Sequence, residues 1–150
     1  MIKLSSATMR VLDVMSTDVV KAQLLEPVYD AVYRMLTKNV GSIVITDNGM
    51  VVGIVTKGDV LRRAFLKGVD PKSLPVKKVM STPPVTISPA ATLEEASKLM
   101  NEKRISKLPV VENGKLVGII TSTDIIKAEP IQVGYLQELV KARFVPHDLA

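Results

Sequence analysis

Cysteine and tryptophan are absent from this chain of 150 residues, and histidine occurs once, at His147. Without cysteine the protein can form neither a disulfide framework nor a thiolate metal site. A single imidazole also argues against histidine-based metal clusters and against Ser-His-Asp catalysis. We therefore predict no metal site, and no catalysis that depends on cysteine or histidine.

Long apolar runs are missing as well, although 47% of the residues are hydrophobic. No run approaches the roughly 20 residues that a membrane-spanning helix needs. The first ten residues, MIKLSSATMR, lack the apolar core of a signal peptide. These features predict a cytoplasmic protein that does not enter a membrane. The net charge of +5 suits phosphate groups on small ligands as well as polyanionic partners.

What the sequence does contain is a tandem repeat. Residues 14–61 align without a gap with residues 79–126. Short repeats rarely bury an apolar face alone, so we expect the two copies to pack on each other. The identical pairs include Met15 and Met80, Ser16 and Ser81, Gly53 and Gly118, Thr56 and Thr121, and Asp59 and Asp124.

Each repeat predicts the order β-α-β-β-α, which makes the fold class mixed α/β. The first strands are predicted at residues 19–22 (VVKA) and 85–88 (VTIS). Thr92 followed by Glu95 indicates the capped start of a helix in the second repeat. Asn-Gly at 48–49 and again at 113–114, between apolar runs, predicts two hairpins with type I′ turns.

The predicted boundaries follow from this order. Each repeat opens with a short lead-in segment, residues 11–15 (VLDVM) in the first copy and residues 76–80 (VKKVM) in the second. We predict a first domain at 8–66, a linker at 67–75, a second domain at 76–129, and a C-terminal extension with one helix at 130–150.

Both repeats place a threonine and an aspartate where a strand passes into a helix. We call Thr56–Asp59 the first seam and Thr121–Asp124 the second seam. One interpretation is helix capping, in which the threonine is the N-cap and the aspartate favours the helix dipole. The other is a ligand site, in which the hydroxyl meets a phosphate and the carboxylate accepts hydrogen bonds from a ribose diol. Aspartate is shorter than the glutamate of a capping box, and this favours the ligand.

Tandem β-α-β-β-α units with Asn-Gly hairpins and two G-h-h-T-x-x-D seams, where h is apolar, resemble a pair of CBS domains, the cystathionine β-synthase type module. Two such domains form a Bateman module, and the resemblance covers roughly residues 8–129. It implies a stand-alone regulatory module whose two repeats pack through their sheets about a pseudo-twofold axis. The clefts between them would bind AMP, ADP, ATP or S-adenosylmethionine.

Carried over to this chain, the resemblance assigns the ribose hydroxyls to Asp59 and Asp124, and the phosphates to Thr56 and Thr121. It also suggests residues for the base, each group facing the aspartate of the other repeat. These are Val19, Val40 and Gly41 with Asp124, and Pro84, Ile105 and Ser106 with Asp59.

No catalytic constellation is visible, because the chain lacks a P-loop, a G-x-G-x-x-G run and a G-x-S-x-G run. We therefore predict a protein that is not an enzyme and uses no catalytic cofactor. Two other functions stay open: a nucleic-acid-binding protein that uses its basic surface, and a structural partner subunit whose clefts stay empty. Four cations could supplement phosphate binding, although each is more often a solvated surface charge: Arg62, Arg63, Arg104 and Lys107.

Two further expectations concern assembly. We predict a homodimer, because the helical faces that carry Val60, Leu61, Ile125 and Ile126 would stay partly uncovered in a monomer. A regulatory module also implies an unknown protein partner that receives its signal. Residues 134–144 form an amphipathic pattern, which predicts the C-terminal helix able to dock on the module or on a partner.

Overall fold

The computed structural model describes residues 9–128 and residue 141. Most of the predicted C-terminal helix at 134–144 therefore lies outside the described residues, as do Met1 to Thr8 and His147. The described strands are β1 Lys21–Gln23, β2 Ser42–Asp47, β3 Met50–Thr56, β4 Lys107–Glu112 and β5 Lys115–Thr121. The α-helices are α1 Val11–Val14, α2 Val28–Thr37, α3 Lys57–Val60, α4 Leu93–Lys103 and α5 Ser122–Ala128. The predicted mixed α/β class is confirmed.

The chain divides into two compact units that do not coincide with the two repeats. The first-repeat unit comprises Asp18–Val85 and Asn113–Leu116. The second-repeat unit comprises, among the described residues, 9–17, 86–112 and 117–128. Each unit therefore contains the lead-in segment of the other repeat.

In the first-repeat unit, β1 runs parallel to β2, and β2 runs antiparallel to β3. The predicted hairpin between β2 and β3 turns at Asn48 and Gly49, which have φ of 51° and 82°. Positive φ at both central positions is what a type I′ turn requires. The core of this unit lies between α2, the strands and the lead-in, and contains Ala22, Val28, Ala31, Met35, Ile43, Ile45, Val55, Val76 and Val79.

In the second-repeat unit, Thr92 caps α4, because its Oγ1 accepts a hydrogen bond from the Glu95 N–H at 3.1 Å. The strands β4 and β5 are hydrogen-bonded neighbours. The turn between them belongs to the first-repeat unit, and its Asn113 and Gly114 also have positive φ, 52° and 79°. The largest fully buried side chains of the second-repeat unit are Val11, Leu93, Met100, Leu108, Ile120 and Ile125.

The predicted strand at residues 85–88 is shorter than expected. It is reduced to a single bridging residue, Ile87, which pairs in parallel with Val110. Pro84 and Pro89 flank the segment, and proline cannot donate a ladder hydrogen bond. The corresponding segment of the first repeat has no such flanks and forms β1.

The second lead-in docks on β3 at a glycine. Ser81 and Ile54 exchange two backbone hydrogen bonds, with N–O distances of 2.8 and 3.2 Å. A Cβ added at Gly53 would lie 2.5 Å from the Met80 Sδ and 3.0 Å from the Ser81 carbonyl oxygen. Only glycine permits this approach of one backbone to another.

The first lead-in docks on β5 in the same way. Ser16 and Ile119 exchange two backbone hydrogen bonds, both of 2.9 Å. A Cβ at Gly118 would lie 2.7 Å from the Met15 Sδ and 2.9 Å from the Ser16 carbonyl oxygen. The identities that define the repeat at these positions therefore mark two equivalent docking contacts.

The apolar helical faces that were predicted to stay partly uncovered differ in their exposure. Ile125 is fully buried rather than partly uncovered. Val60 is half-buried, whereas Leu61 and Ile126 are 55% and 39% exposed. The exposed apolar surface of the first repeat instead continues along the π-helical turn Leu61–Phe65 and the residues after it.

Candidate functional site

The first seam is a reciprocal capping box. Thr56 ends β3 and serves as the N-cap of α3. Its backbone N–H donates to Asp59 Oδ2 at 2.9 Å, and the Asp59 N–H donates to Thr56 Oγ1 at 3.2 Å. The second seam repeats this geometry, since the Thr121 N–H donates to Asp124 Oδ2 at 2.9 Å and the Asp124 N–H donates to Thr121 Oγ1 at 3.1 Å.

The expectation that aspartate is too short for a capping box is therefore wrong at both seams. Thr56 has φ of −106° and ψ of 166°. With Thr56 in this extended conformation, its backbone N–H lies close enough to the first helical turn for the Asp59 carboxylate to accept its hydrogen bond. The single methylene of the aspartate side chain is therefore long enough. Capping explains the local T-x-x-D pattern by itself.

A capping carboxylate can still bind a ligand. An ionised carboxylate offers about four lone-pair sites, and the cap occupies one of them on Oδ2. At the first seam, Asp59 Oδ1 also accepts hydrogen bonds from Ser81 Oγ at 3.1 Å and from Arg62 Nη2 at 3.3 Å. Asp59 is consequently only 2% exposed, whereas Asp124 at the second seam is half-buried.

Ser81 was not among the predicted site residues, although it contacts a predicted one. The signal for it was present, because Ser81 is identical to Ser16 in the repeat alignment. Its position beside Asp59 depends on the docking of the second lead-in on β3. Only the folded structure joins residues that lie 22 positions apart.

The two adjacent arginines differ in role. Arg63 donates from Nη1 to the carbonyl oxygens of Val79 and Met80, at 3.0 and 2.7 Å, and so holds the second lead-in. Arg62 turns toward Asp59 instead. Its guanidinium lies over Gly58, where an added Cβ would come 2.8 Å from Nη1.

The structure brings two of the predicted base-side residues to the seam of their own repeat. The Lys57 N–H donates to the Gly41 carbonyl oxygen at 3.2 Å, next to Thr56. In the same way, the Ser122 N–H donates to the Ser106 carbonyl oxygen at 2.8 Å, next to Thr121. The other four are half-buried: Val19, Val40, Pro84 and Ile105. Their grouping around a base stays a prediction.

One short ion pair lies away from both seams. Arg34 Nη2 on α2 and Glu26 Oε1 before α2 are 2.6 Å apart. The hydrogen bond from Arg34 lowers the pKa of Glu26 below its ordinary value, and the same contact raises the pKa of Arg34. The repeat alignment places Ala91 and Leu99 at these positions in the second repeat.

Across residues 9–128 and 141, no three His, Cys, Asp or Glu side chains come together in a way that could hold a metal ion. Over the same part of the chain, no helix has the length and apolar character needed to cross a bilayer.

Comparison with known proteins identifies the family. The sequence profile described as CBS domain matches residues 11–65 and 76–130. The CBS domain-containing protein YhcV of Bacillus subtilis is 36% identical over 113 residues, which cover 75% of this chain and 80% of YhcV.

Two solved structures are similar as well. One is the hexameric CBS-CP12 protein from bloom-forming cyanobacteria, with a TM-score of 0.67 and 29% identity, covering 79% of this chain and 71% of that one. The other is CBSX2 in complex with AMP, with a TM-score of 0.72 and 26% identity, covering 84% and 98%. Since the family profile matches both repeats and most of the chain, this protein belongs to the CBS domain family and carries two CBS domains in tandem.

Proposed function

We propose that this chain is a regulatory module that binds an adenine nucleotide at its two seams. The observation that carries the proposal is the repeated geometry, in which a threonine hydroxyl and an aspartate carboxylate stand at the same strand–helix junction in both repeats. The similar CBSX2 was solved with AMP bound, which supports an adenine nucleotide as the ligand class.

The cap leaves each side chain able to take a ligand. Thr56 Oγ1 and Thr121 Oγ1 accept hydrogen bonds from the helix backbone, so each hydroxyl can still donate its own proton to a phosphate oxygen. The Asp124 carboxylate has lone pairs beyond the one used by the cap, and these suit the two hydroxyls of a ribose. At Asp59 the lone pair that accepts from Arg62 has to be released before both hydroxyls can bind. The cap thus fixes the rotamers that the ligand would need.

The base would lie against the half-buried apolar residues and the backbone carbonyls near each seam. Val40 and Ile105 supply aliphatic surface at equivalent positions of the two repeats. Flat aromatic bases pack well on such surface, and backbone groups fix their orientation. S-adenosylmethionine shares the adenosine part with AMP, ADP and ATP, so it belongs among the candidate ligands.

We propose that the module acts in the cytoplasm and has a regulatory rather than a catalytic role. It would transmit the binding of a nucleotide through its contacts with another protein surface. A ligand can shift such contacts only by its differential affinity for two arrangements of the module.

We propose a homodimer as the basal state, because three apolar side chains that lie close together in sequence are largely exposed: Leu61 at 55%, Phe65 at 73% and Leu66 at 75%. Sedimentation equilibrium at micromolar concentration tests this, and a pure monomer of about 16 kDa would contradict it.

Calorimetric titration with AMP, ADP, ATP and S-adenosylmethionine tests the proposed function. We expect binding of at least one of these, weakened by Asp59→Asn and by Asp124→Asn, which keep an acceptor for the cap but remove the charge. The matched control is Asp47→Asn, an exposed carboxylate at the end of β2. If no ligand binds, the proposal fails. Binding to DNA or RNA with a steep salt dependence would favour the nucleic-acid function instead.

A further inference from the structure

At the first seam an arginine side chain shields the aspartate that would hold the ribose. Arg62 Nη2 lies 3.3 Å from Asp59 Oδ1. The two partners differ sharply in exposure, because the Asp59 side chain is 2% exposed and the Arg62 side chain is 65% exposed. One end of the ion pair is therefore inside the protein and the other faces solvent.

A ribose hydroxyl can reach a carboxylate that is 2% exposed only if a present neighbour moves. Three groups donate hydrogen bonds to the Asp59 carboxylate: the Thr56 N–H, the Ser81 hydroxyl and the Arg62 guanidinium. The Thr56 N–H is part of the capped backbone, and Ser81 is held on β3 by two backbone hydrogen bonds. Arg62 has a long side chain, a single contact of 3.3 Å to the carboxylate and an exposed end. Its movement costs the least.

Displacing Arg62 has a cost that depends on the charge of the ligand. The guanidinium loses its carboxylate partner and needs another anion, and planar guanidinium groups match phosphate oxygens well. A phosphate attached to the bound ribose would lie within reach of the displaced side chain. Adenosine offers no such replacement, and the cationic sulfonium of S-adenosylmethionine would repel the guanidinium.

We propose that Arg62 makes the first seam selective for phosphorylated nucleosides, with adenosine and S-adenosylmethionine as poor ligands there. This inference rests on the proposed function and adds its ligand class. The second seam lacks an arginine that could shield its aspartate in this way. Lys127 aligns with Arg62 and Thr123 with Gly58, so a side chain occupies the place over which the guanidinium lies in the first repeat.

The test is a titration series with adenosine, S-adenosylmethionine, AMP, ADP and ATP. It is run on the full chain and on the Asp124→Asn background, in which the first seam dominates binding. Arg62→Gln removes the guanidinium, and Lys127→Gln is the matched control from the second repeat. We expect the ratio of ATP to adenosine affinity to fall roughly tenfold or more in Arg62→Gln, the size of one charge-assisted contact. Lys127→Gln should leave the ratio unchanged.

Gly58→Ala separates the two proposed effects of Arg62, which are the shielding of Asp59 and the attraction of a phosphate. The new Cβ would push the flexible guanidinium away from its present position while keeping the charge. Adenosine affinity should then rise several-fold, whereas the preference for phosphorylated ligands should persist. Thermal unfolding of each variant confirms that it is folded before titration.

The outcomes distinguish the inference from the proposed function. An unchanged affinity ratio in Arg62→Gln overturns the inference while nucleotide binding stands. An equal fall in Lys127→Gln also overturns it, because the effect would then be one of general charge. If the native chain binds S-adenosylmethionine alone, the inference fails while the proposed function stands. If it binds none of the five ligands, both fail.

Discussion

The first and second seams share the same capping geometry and differ in what surrounds it. Each cap distance in the first seam agrees with its counterpart in the second seam to within 0.1 Å. Around that cap, Asp59 contacts Ser81 and Arg62 and is buried, whereas Asp124 is half-buried. Four residues of local sequence are thus enough to reproduce the cap. The accessibility of its carboxylate depends on side chains from elsewhere in the chain.

The largest effect should come from filling the space at the docking glycines. Gly53→Val and Gly118→Val would each drive side-chain atoms into a methionine and a backbone carbonyl. We expect each to lower the free energy of unfolding by about 3 kcal/mol, at the upper end for overpacking. Chemical denaturation measures this.

The control for the glycine pair is Gly41→Ala, whose Cβ would meet only the Lys57 Cε at 3.9 Å. Similar losses at Gly53 and Gly118 would show that the two lead-ins contribute equally. A loss at one position alone would break the equivalence of the two docking contacts.

The two seam aspartates should differ in their contribution to stability. Asp59→Ala removes the cap and leaves the Ser81 hydroxyl without this acceptor, for an expected loss of about 2 kcal/mol. Asp124→Ala, at a half-buried carboxylate, should cost about 1 kcal/mol, as an ordinary cap does. Urea denaturation of both variants compares them, and equal losses would contradict the asymmetry derived from burial.

A smaller effect should follow from the loss of Arg63. Arg63→Ala removes two hydrogen bonds to the carbonyl oxygens of Val79 and Met80, for a loss of about 1 kcal/mol, since the side chain is exposed. Hydrogen exchange should also rise at the amide of Ser81, which bonds to Ile54. The neighbouring Arg62→Ala is the control. If both variants accelerate exchange at Ser81 alike, Arg63 does not hold the lead-in.

The smallest effect concerns the ion pair of Glu26 and Arg34, which has no counterpart in the second repeat. Arg34 lowers the pKa of Glu26 below its ordinary value of 4.5. The pair therefore stabilises the fold above that value and loses its contribution as pH falls through the lowered pKa. Because both side chains are partly exposed, Glu26→Gln should cost about 0.5 kcal/mol at pH 7.

The pH dependence provides the check on that pair. The free energies of unfolding of the native chain and of Glu26→Gln should converge as the solution is acidified below pH 4.5 and through the lowered pKa of Glu26. A difference that stays constant throughout acidification would mean that packing, rather than charge, explains the loss. The matched control is Glu112→Gln, which removes an exposed carboxylate at the end of β4 and should leave the free energy of unfolding at pH 7 unchanged.

Much of the fold could be predicted because its signals are local. The Asn-Gly turns, the Thr92 cap and the apolar runs of β2 and β4 each depend on a few adjacent residues, and all are present. The bracketing prolines around Ile87 were also visible, yet the strand was predicted at full length. Valine, threonine and isoleucine favour a strand at residues 85–88, but the two prolines that flank them cannot donate ladder hydrogen bonds and so limit the pairing to Ile87.

By itself the sequence determined the repeat, the order of strands and helices, and the capping boxes at Thr56 and Thr121, because hydrogen bonds between residues three positions apart need no distant partner. The tertiary structure decided that each lead-in joins the unit of the other repeat. It also decided that Ser81 contacts Asp59 and that Ile125 is buried. These contacts depend on how separate segments fill a shared core, and periodicity along the chain reports which residues are apolar but not which segment covers them.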